Sequence, residues 1–166
     1  MTSELTAHEV VLPGLEELRV EVGAPADWEI SVVEDPPFFL AQMPQALAGP
    51  FADNLIVNIE RLGDDAPADL EELQGLIYAQ AFASVPDFYA VDDRPHEVDG
   101  RPGWFRASLQ TAPPGITAVN RQVFTLRGDL LVTLSLTTMA FRDPEASELF
   151  DALMDSCRIL STTEED

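Results

Sequence analysis

The chain is predicted to fold as an α+β domain, a largely antiparallel β-sheet packed with helices. Three observations carry that expectation. Several segments alternate apolar and polar residues with the two-residue period of a half-buried strand. Most of them are separated by short turns rich in Gly, Pro and Asp, which join antiparallel neighbours. Two further segments place apolar residues at helical spacing, one in mid-chain and one near the end.

With 166 residues, the chain has the length of one domain, large enough to bury roughly two-thirds of its extended surface without disulfide or metal staples. Residues 1–17 are mixed and acidic and are expected as an arm, 18–160 as the single domain, and 161–166 as a frayed acidic tail. Within the domain, Leu18, Val20 and Val22 alternate on one side of a strand that Gly23-Ala24-Pro25 breaks, with Trp28 in the following turn. Phe38 to Met43 reads as a short strand behind Pro36-Pro37, and 44–53 as loop. Asn54 to Leu62 is a strand with Leu55, Val57 and Ile59 on one face and Asn58 and Glu60 on the other. After the turn Gly63–Pro67, Leu70, Leu73, Ile77 and Ala81 mark a helix that Val85-Pro86 stops.

Asp87 to Val91 opens another strand, and Asp92-Asp93-Arg94-Pro95 and Asp99-Gly100 carry turn chemistry. Trp104 to Gln110 is a strand; Pro113-Pro114-Gly115 is a loop. Ile116 to Leu126 and Leu130 to Met139 form a hairpin around Arg127-Gly128-Asp129. Asp143-Pro144 starts the last helix, with Asp as cap and Pro at the first helical position. That helix is expected to reach about Leu160, with Leu149, Leu153 and Cys157 along one stripe. The periodicities place Leu55, Val57, Ile59, Leu70, Leu73, Ile77, Leu130, Val132, Leu134, Leu136, Leu149 and Leu153 in the core.

Charge narrows the function. Thirty Asp and Glu face nine basic residues, all of them Arg, for a net charge of −21. Such a balance excludes a protein held on nucleic acid by phosphate contacts or drawn to anionic lipid. The opening MTSELTAHEVVLPGLEEL has no basic-then-apolar leader, and no run approaches the ~18 apolar residues of a membrane span. A cytoplasmic location with no membrane partner is therefore expected.

No catalytic, metal or cofactor signature is present. His8 lies in the arm and His96 in a turn, neither with a ligand partner at metal spacing. There is no GxSxG elbow and no glycine-rich phosphate loop. Asp64-Asp65 and Asp92-Asp93 lack the alternating oxygen ligands of a calcium loop. The single cysteine, Cys157, excludes an internal disulfide and lies on the apolar stripe of the last helix.

The informative feature is charge segregation. Between Arg101 and Arg142, five arginines face one acid, Asp129. In that window three strands alternate, and their polar sides offer Trp104 and Arg106, Asn120 and Gln122, and Thr133, Ser135 and Thr137. A guanidinium among neutral hydrogen-bonding groups beside an indole suits an anionic or polar partner. The expected function is a non-enzymatic cytosolic binding or accessory module for a protein partner. The alternative is an acidic chaperone or immunity-like protein that masks a basic partner; a small-ligand carrier or an enzyme ranks below both.

The segments VEVGAPADW, FADNLIVNIERL, VDGRPGWFRASL and QVFTLRGDLLVTLSLT, followed by the closing amphipathic helix, resemble in content and order the PsbP-like superfamily. That superfamily includes a Ran-binding nuclear-import factor, DcrB-like bacterial proteins and LpqN-type lipoproteins. The likeness spans about Leu18 to Leu160 and rests on pattern, with no catalytic motif. It implies a sheet sandwiched by helices and a non-enzymatic binding or accessory role. The lipobox Cys of the lipoprotein branch is not found, and no Ran-contact motif is recognisable.

Overall fold

The computed structural model describes residues 4–113 and 115–161. In chain order the elements are β1 (Leu5–Val10), β2 (Leu18–Pro25), β3 (Glu29–Glu34), β4 (Pro37–Gln42), α1 (Gln45–Ala48), β5 (Asn54–Arg61) and α2 (Leu70–Ser84). There follow β6 (Tyr89–Pro95), β7 (Trp104–Ala112), β8 (Ile116–Arg127), β9 (Leu130–Met139), α3 (Asp143–Ser156) and β10 (Arg158–Ser161). The strands form two antiparallel sheets, a large one in the order β3-β4-β5-β9-β8-β7-β6 and a small one in the order β1-β2-β10.

Alternation decides which face of the large sheet is buried. Leu55, Val57 and Ile59 of β5 and Val132, Leu134 and Leu136 of β9 share one face with Val123, Phe105 and Ala107. This face packs on Val20 and Val22 of the small sheet and on Phe150 and Leu153 of α3. Each fully buried aliphatic side chain contributes about 1.5–3 kcal/mol relative to exposure. On the opposite face α2 closes a second, smaller core, in which Leu73, Phe124 and Leu131 are buried and Leu70, Ile77 and Trp104 pack around them. Of the twelve core residues expected from periodicity, Leu70, Ile77 and Leu149 are half-buried and the rest are buried. The expected α+β class, a largely antiparallel sheet with helices against it, is the fold observed.

Four local differences have physical causes. The stretch 1–17, expected as an arm, contains β1, which pairs with β2 from Leu5↔Pro25 to Val10↔Val20, and Leu12 and Leu15 are buried; residues 1–3 lie outside the described residues. β1 shows little alternation because it is a partly exposed sheet edge. The second difference is β3, an edge strand whose side chains are almost all exposed, so EISVVE lacks a half-buried pattern. Third, Asp92-Asp93-Arg94-Pro95 belongs to strand β6 and not to a turn, since an outer strand tolerates charge and proline. Fourth, the last helix ends at Ser156, where the Ser156 hydroxyl donates to the Leu153 carbonyl and accepts from the Gly23 amide at 2.9 Å. The chain then turns extended, and Arg158–Ser161 joins β2. The expected tail 161–166 thus begins with a strand residue, and 162–166 lie outside the described residues. At the start of α3, Asp143 makes no cap; it accepts instead from Arg121.

Candidate functional site

Strand pairing aligns side chains in rows across the sheet face opposite the main core. One row runs Trp104–Phe124–Thr133–Asn58–Phe38, the next Arg106–Gln122–Ser135–Ile56–Leu40, and the third Ser108–Asn120–Thr137–Asn54–Gln42. All seven residues singled out in the sequence, Trp104, Arg106, Asn120, Gln122, Thr133, Ser135 and Thr137, therefore share one face on three adjacent strands. They do not share one environment.

The end of the face near β7 lies under α2. Asp69 caps that helix through the Glu71 amide at 2.8 Å, and the helix then lays Leu73 and Ile77 on Phe124 and Trp104. Arg106 is 2 % exposed. Its Nε donates to Asp93 at 3.3 Å, and its Nη2 donates to the Gln74 side-chain oxygen at 2.6 Å and main-chain oxygen at 3.2 Å. The guanidinium lies against the rings of Tyr78 and Phe124, 5.0 and 5.7 Å from their centroids. Trp104 donates its indole N–H to the same carboxylate of Asp93. Arg106 and Trp104 thus pack under α2, Arg106 buried and Trp104 half-buried.

The end toward β5 and β4 is open. Asn120 Nδ2 donates to Ser135 Oγ at 2.7 Å and to Thr137 Oγ1 at 2.8 Å, so three half-buried polar side chains are pre-positioned across two strands. Gln122 and Thr133 are half-buried beside them, and Asn54, Ile56, Asn58 and Leu40 continue the surface. A shallow groove of about 520 Å³ follows at the turn end, over Phe38, Ile56 and Asn58. The β4 and β5 residues are not evident from the sequence because β5 pairs with β9, a strand distant in the chain, as in Asn54↔Thr137, which periodicity does not reveal. One signal was present: Asn54, Ile56 and Asn58 occupy the non-core side of NLIVNIERL.

Three of the five arginines in the cationic window pair with carboxylates within the fold. Arg106 meets Asp93, Arg121 meets Asp143 at 2.6 Å, and Arg142 grips Asp53 through two bonds of 2.7 Å. Asp53, 4 % exposed, also accepts from the Met139 amide at 3.1 Å. Arg142 and Asp53 sit on a cleft of about 190 Å³ walled by Leu5, Trp28, Met43 and Leu149. Cys157 is fully buried; burial, with the charge of Asp99 adding, pushes its thiol up to about 11. Among the described residues, no group of three or more His, Cys, Asp or Glu is gathered for a metal ion, and no helix is long and apolar enough to cross a membrane.

A seven-stranded sheet with a small sheet and α3 on one face and α2 on the other is the PsbP-like fold. Solved structures with that architecture match along nearly the whole chain. LpqN, involved in cell envelope biogenesis of Mycobacterium tuberculosis, has a TM-score of 0.68 at 12% identity, covering 95% of this chain and 92% of its own. Cyanobacterial PsbP from Synechocystis sp. PCC 6803 has a TM-score of 0.60 at 14% identity, with 96% and 95% covered. The Saccharomyces cerevisiae Ran-binding protein Mog1p has a TM-score of 0.60 at 12% identity, with 96% and 98% covered. No family model and no curated protein matches the sequence. At these identities the likeness establishes the fold alone.

Proposed function

We propose that this chain is a non-enzymatic, cytosolic accessory module that binds a protein partner through the open half of the sheet face. One observation carries the reading: on a chain of net charge −21, Asn120, Gln122, Ser135, Thr137, Asn54 and Ile56 form a contiguous surface without a charged side chain. Depletion of charge over a patch of apolar and neutral hydrogen-bonding groups is the composition of an interface centre. That Mog1p is a Ran-binding protein supports a protein partner for a fold of this kind. Arg106, buried under α2, and Trp104, half-buried beside it, flank this surface.

The test is partner capture from the native cell extract with Ser135→Lys and Thr137→Arg, each checked for an unchanged thermal midpoint. The expected result is loss of a partner that the wild-type chain retains at both low and high salt. If both folded variants keep every partner, the face is only solvated sheet. The acidic surface favours a second reading, a mask for a basic protein, whose signature is a partner released by salt and indifferent to both substitutions.

A further inference from the structure

The two edges of the large sheet are built differently. At the β6 edge the pairing breaks at a bulge between Ala90 and Asp92, and Asp92, Asp93, Arg94 and Pro95 follow. Bulges, charge and proline are what blunts a sheet edge against pairing with another chain. In the small sheet, β10 is only four residues long, and its Ile159 amide is taken by Asp99 Oδ2 at 2.9 Å.

Strand β3 has none of these guards along its middle. It pairs with β4 without interruption from Glu29↔Gln42 to Glu34↔Pro37 and contains no proline, no basic residue and no bulge. Among the described residues, the backbone of 29–34 makes no hydrogen bond outside that pairing. Ile30 and Val32 lie in register with Ala41 and Phe39, on the face that forms the main core. On β4 that face is sealed, with Ala41 at 0 % and Phe39 at 3 %; one strand further out, Ile30 is 41 % and Val32 49 % exposed. The core face therefore runs past its cover, and among the described residues no strand pairs with the outer side of β3.

Charge selects the occupant. Asp27, Glu29, Glu34 and Asp35 frame the strand, and no basic residue occurs anywhere from Val20 to Glu60. A second copy paired antiparallel would set Glu29 against Glu34 at both ends, which like-charge repulsion opposes. We infer that β3 accepts an extended segment of a basic partner protein as an eighth strand. Its backbone pairs with the free edge, alternate apolar side chains cover Ile30 and Val32, and flanking Lys or Arg meet the framing acids. This surface is separate from the open sheet face, and either assignment stands without the other.

Random twelve-residue peptides displayed on phage and selected on the full chain supply the probe. The best peptide is then synthesised and its affinity measured by fluorescence anisotropy at about 50 and 300 mM salt. Enriched peptides are expected to alternate apolar residues between flanking Lys or Arg. Val32→Lys, a substitution that edge strands tolerate, is expected to weaken binding at least tenfold with an unchanged thermal midpoint. Glu29→Gln with Glu34→Gln is expected to weaken it several-fold and to flatten the salt dependence, and Ser135→Lys to leave it unchanged. Absence of enrichment, peptides without that pattern, or full affinity in the folded Val32→Lys chain overturns the assignment. Loss of binding in Ser135→Lys alone moves the site to the sheet face.

Discussion

Beneath α2, Arg106 is locked between Asp93, Gln74 and two aromatic rings. On the next two strands of the same face, the side chains of Asn120, Ser135 and Thr137 bond to one another and remain half exposed. Both regions arise from the same alternation of polar with apolar residues. What separates them is the small apolar cluster of Phe124 and Leu131, which gives α2 a place to land. Where the polar side of a strand includes such residues, a helix covers it and the polar groups become structural. Where it carries Ser, Thr and Asn, the sheet stays open. Whether a polar residue on this face meets solvent is thus set by whether α2 packs over it and not by its own chemistry.

The largest effects should come from the sealed regions. Leu134 points from β9 into the main core at 1 % exposure, between Thr133 and Ser135, which face the other way. Leu134→Ala is expected to cost about 3–4 kcal/mol by loss of transfer energy and by the cavity left. Chemical denaturation measures it, and an unchanged midpoint would break the two-face description of β9. Next comes Asp93→Ala, which leaves the Arg106 guanidinium buried without its carboxylate and is expected to cost about 3 kcal/mol. Arg106→Met keeps the packing under α2, leaves Asp93 near solvent with its bond from Trp104, and removes two bonds to the half-buried Gln74, so its cost is expected at about 1 kcal/mol. Equal losses for the two variants would mean that the cost does not come from stranding the guanidinium charge.

The fold was readable where burial imposes a period. β5, β9 and α2 bury one side each, so Leu55, Leu134 and Leu73 stand out in the sequence. It was unreadable at edges, where β1, β3 and β6 face solvent on most sides and carry residues that suit turns equally well. The candidate site was half readable. Alternation put Trp104, Arg106, Asn120 and Ser135 on one face, yet only tertiary pairing shows that α2 covers the first two. The excess of arginine suggested free positive charge, but the partners Asp53 and Asp93 lie outside that window of sequence.

An intermediate effect tests the sealed side by pH. The Cys157 thiol rises from an ordinary 9.0 to about 11 in the folded chain, so between those values the unfolded state has lost a proton that the folded state keeps. Stability contributed by the buried thiol is complete below pH 9 and declines as pH climbs toward 11. A loss on the order of 1–3 kcal/mol across that window is expected, judged against Cys157→Ala, which should lack this part of the decline. Under native conditions near neutral pH, a thiol reagent should modify Cys157 only on unfolding. Rapid native labelling would show that the junction of α3 and β10 opens.

The smallest effect is the sharpest test of the open side. Thr137→Val removes the hydroxyl that accepts from Asn120 at 2.8 Å while keeping the branched shape. A hydrogen bond between buried groups contributes about 0.5–1.5 kcal/mol. Here Asn120 keeps its bond to Ser135 Oγ at 2.7 Å, and water can reach a half-exposed amide. The change in unfolding free energy is therefore expected to stay below about 0.5 kcal/mol, as for an ordinary surface substitution. Partner capture should nonetheless fall if this hydroxyl faces the partner. A loss above about 1 kcal/mol would show that Asn120, Ser135 and Thr137 form a structural network like that around Arg106, and the distinction between the two halves of the face would collapse.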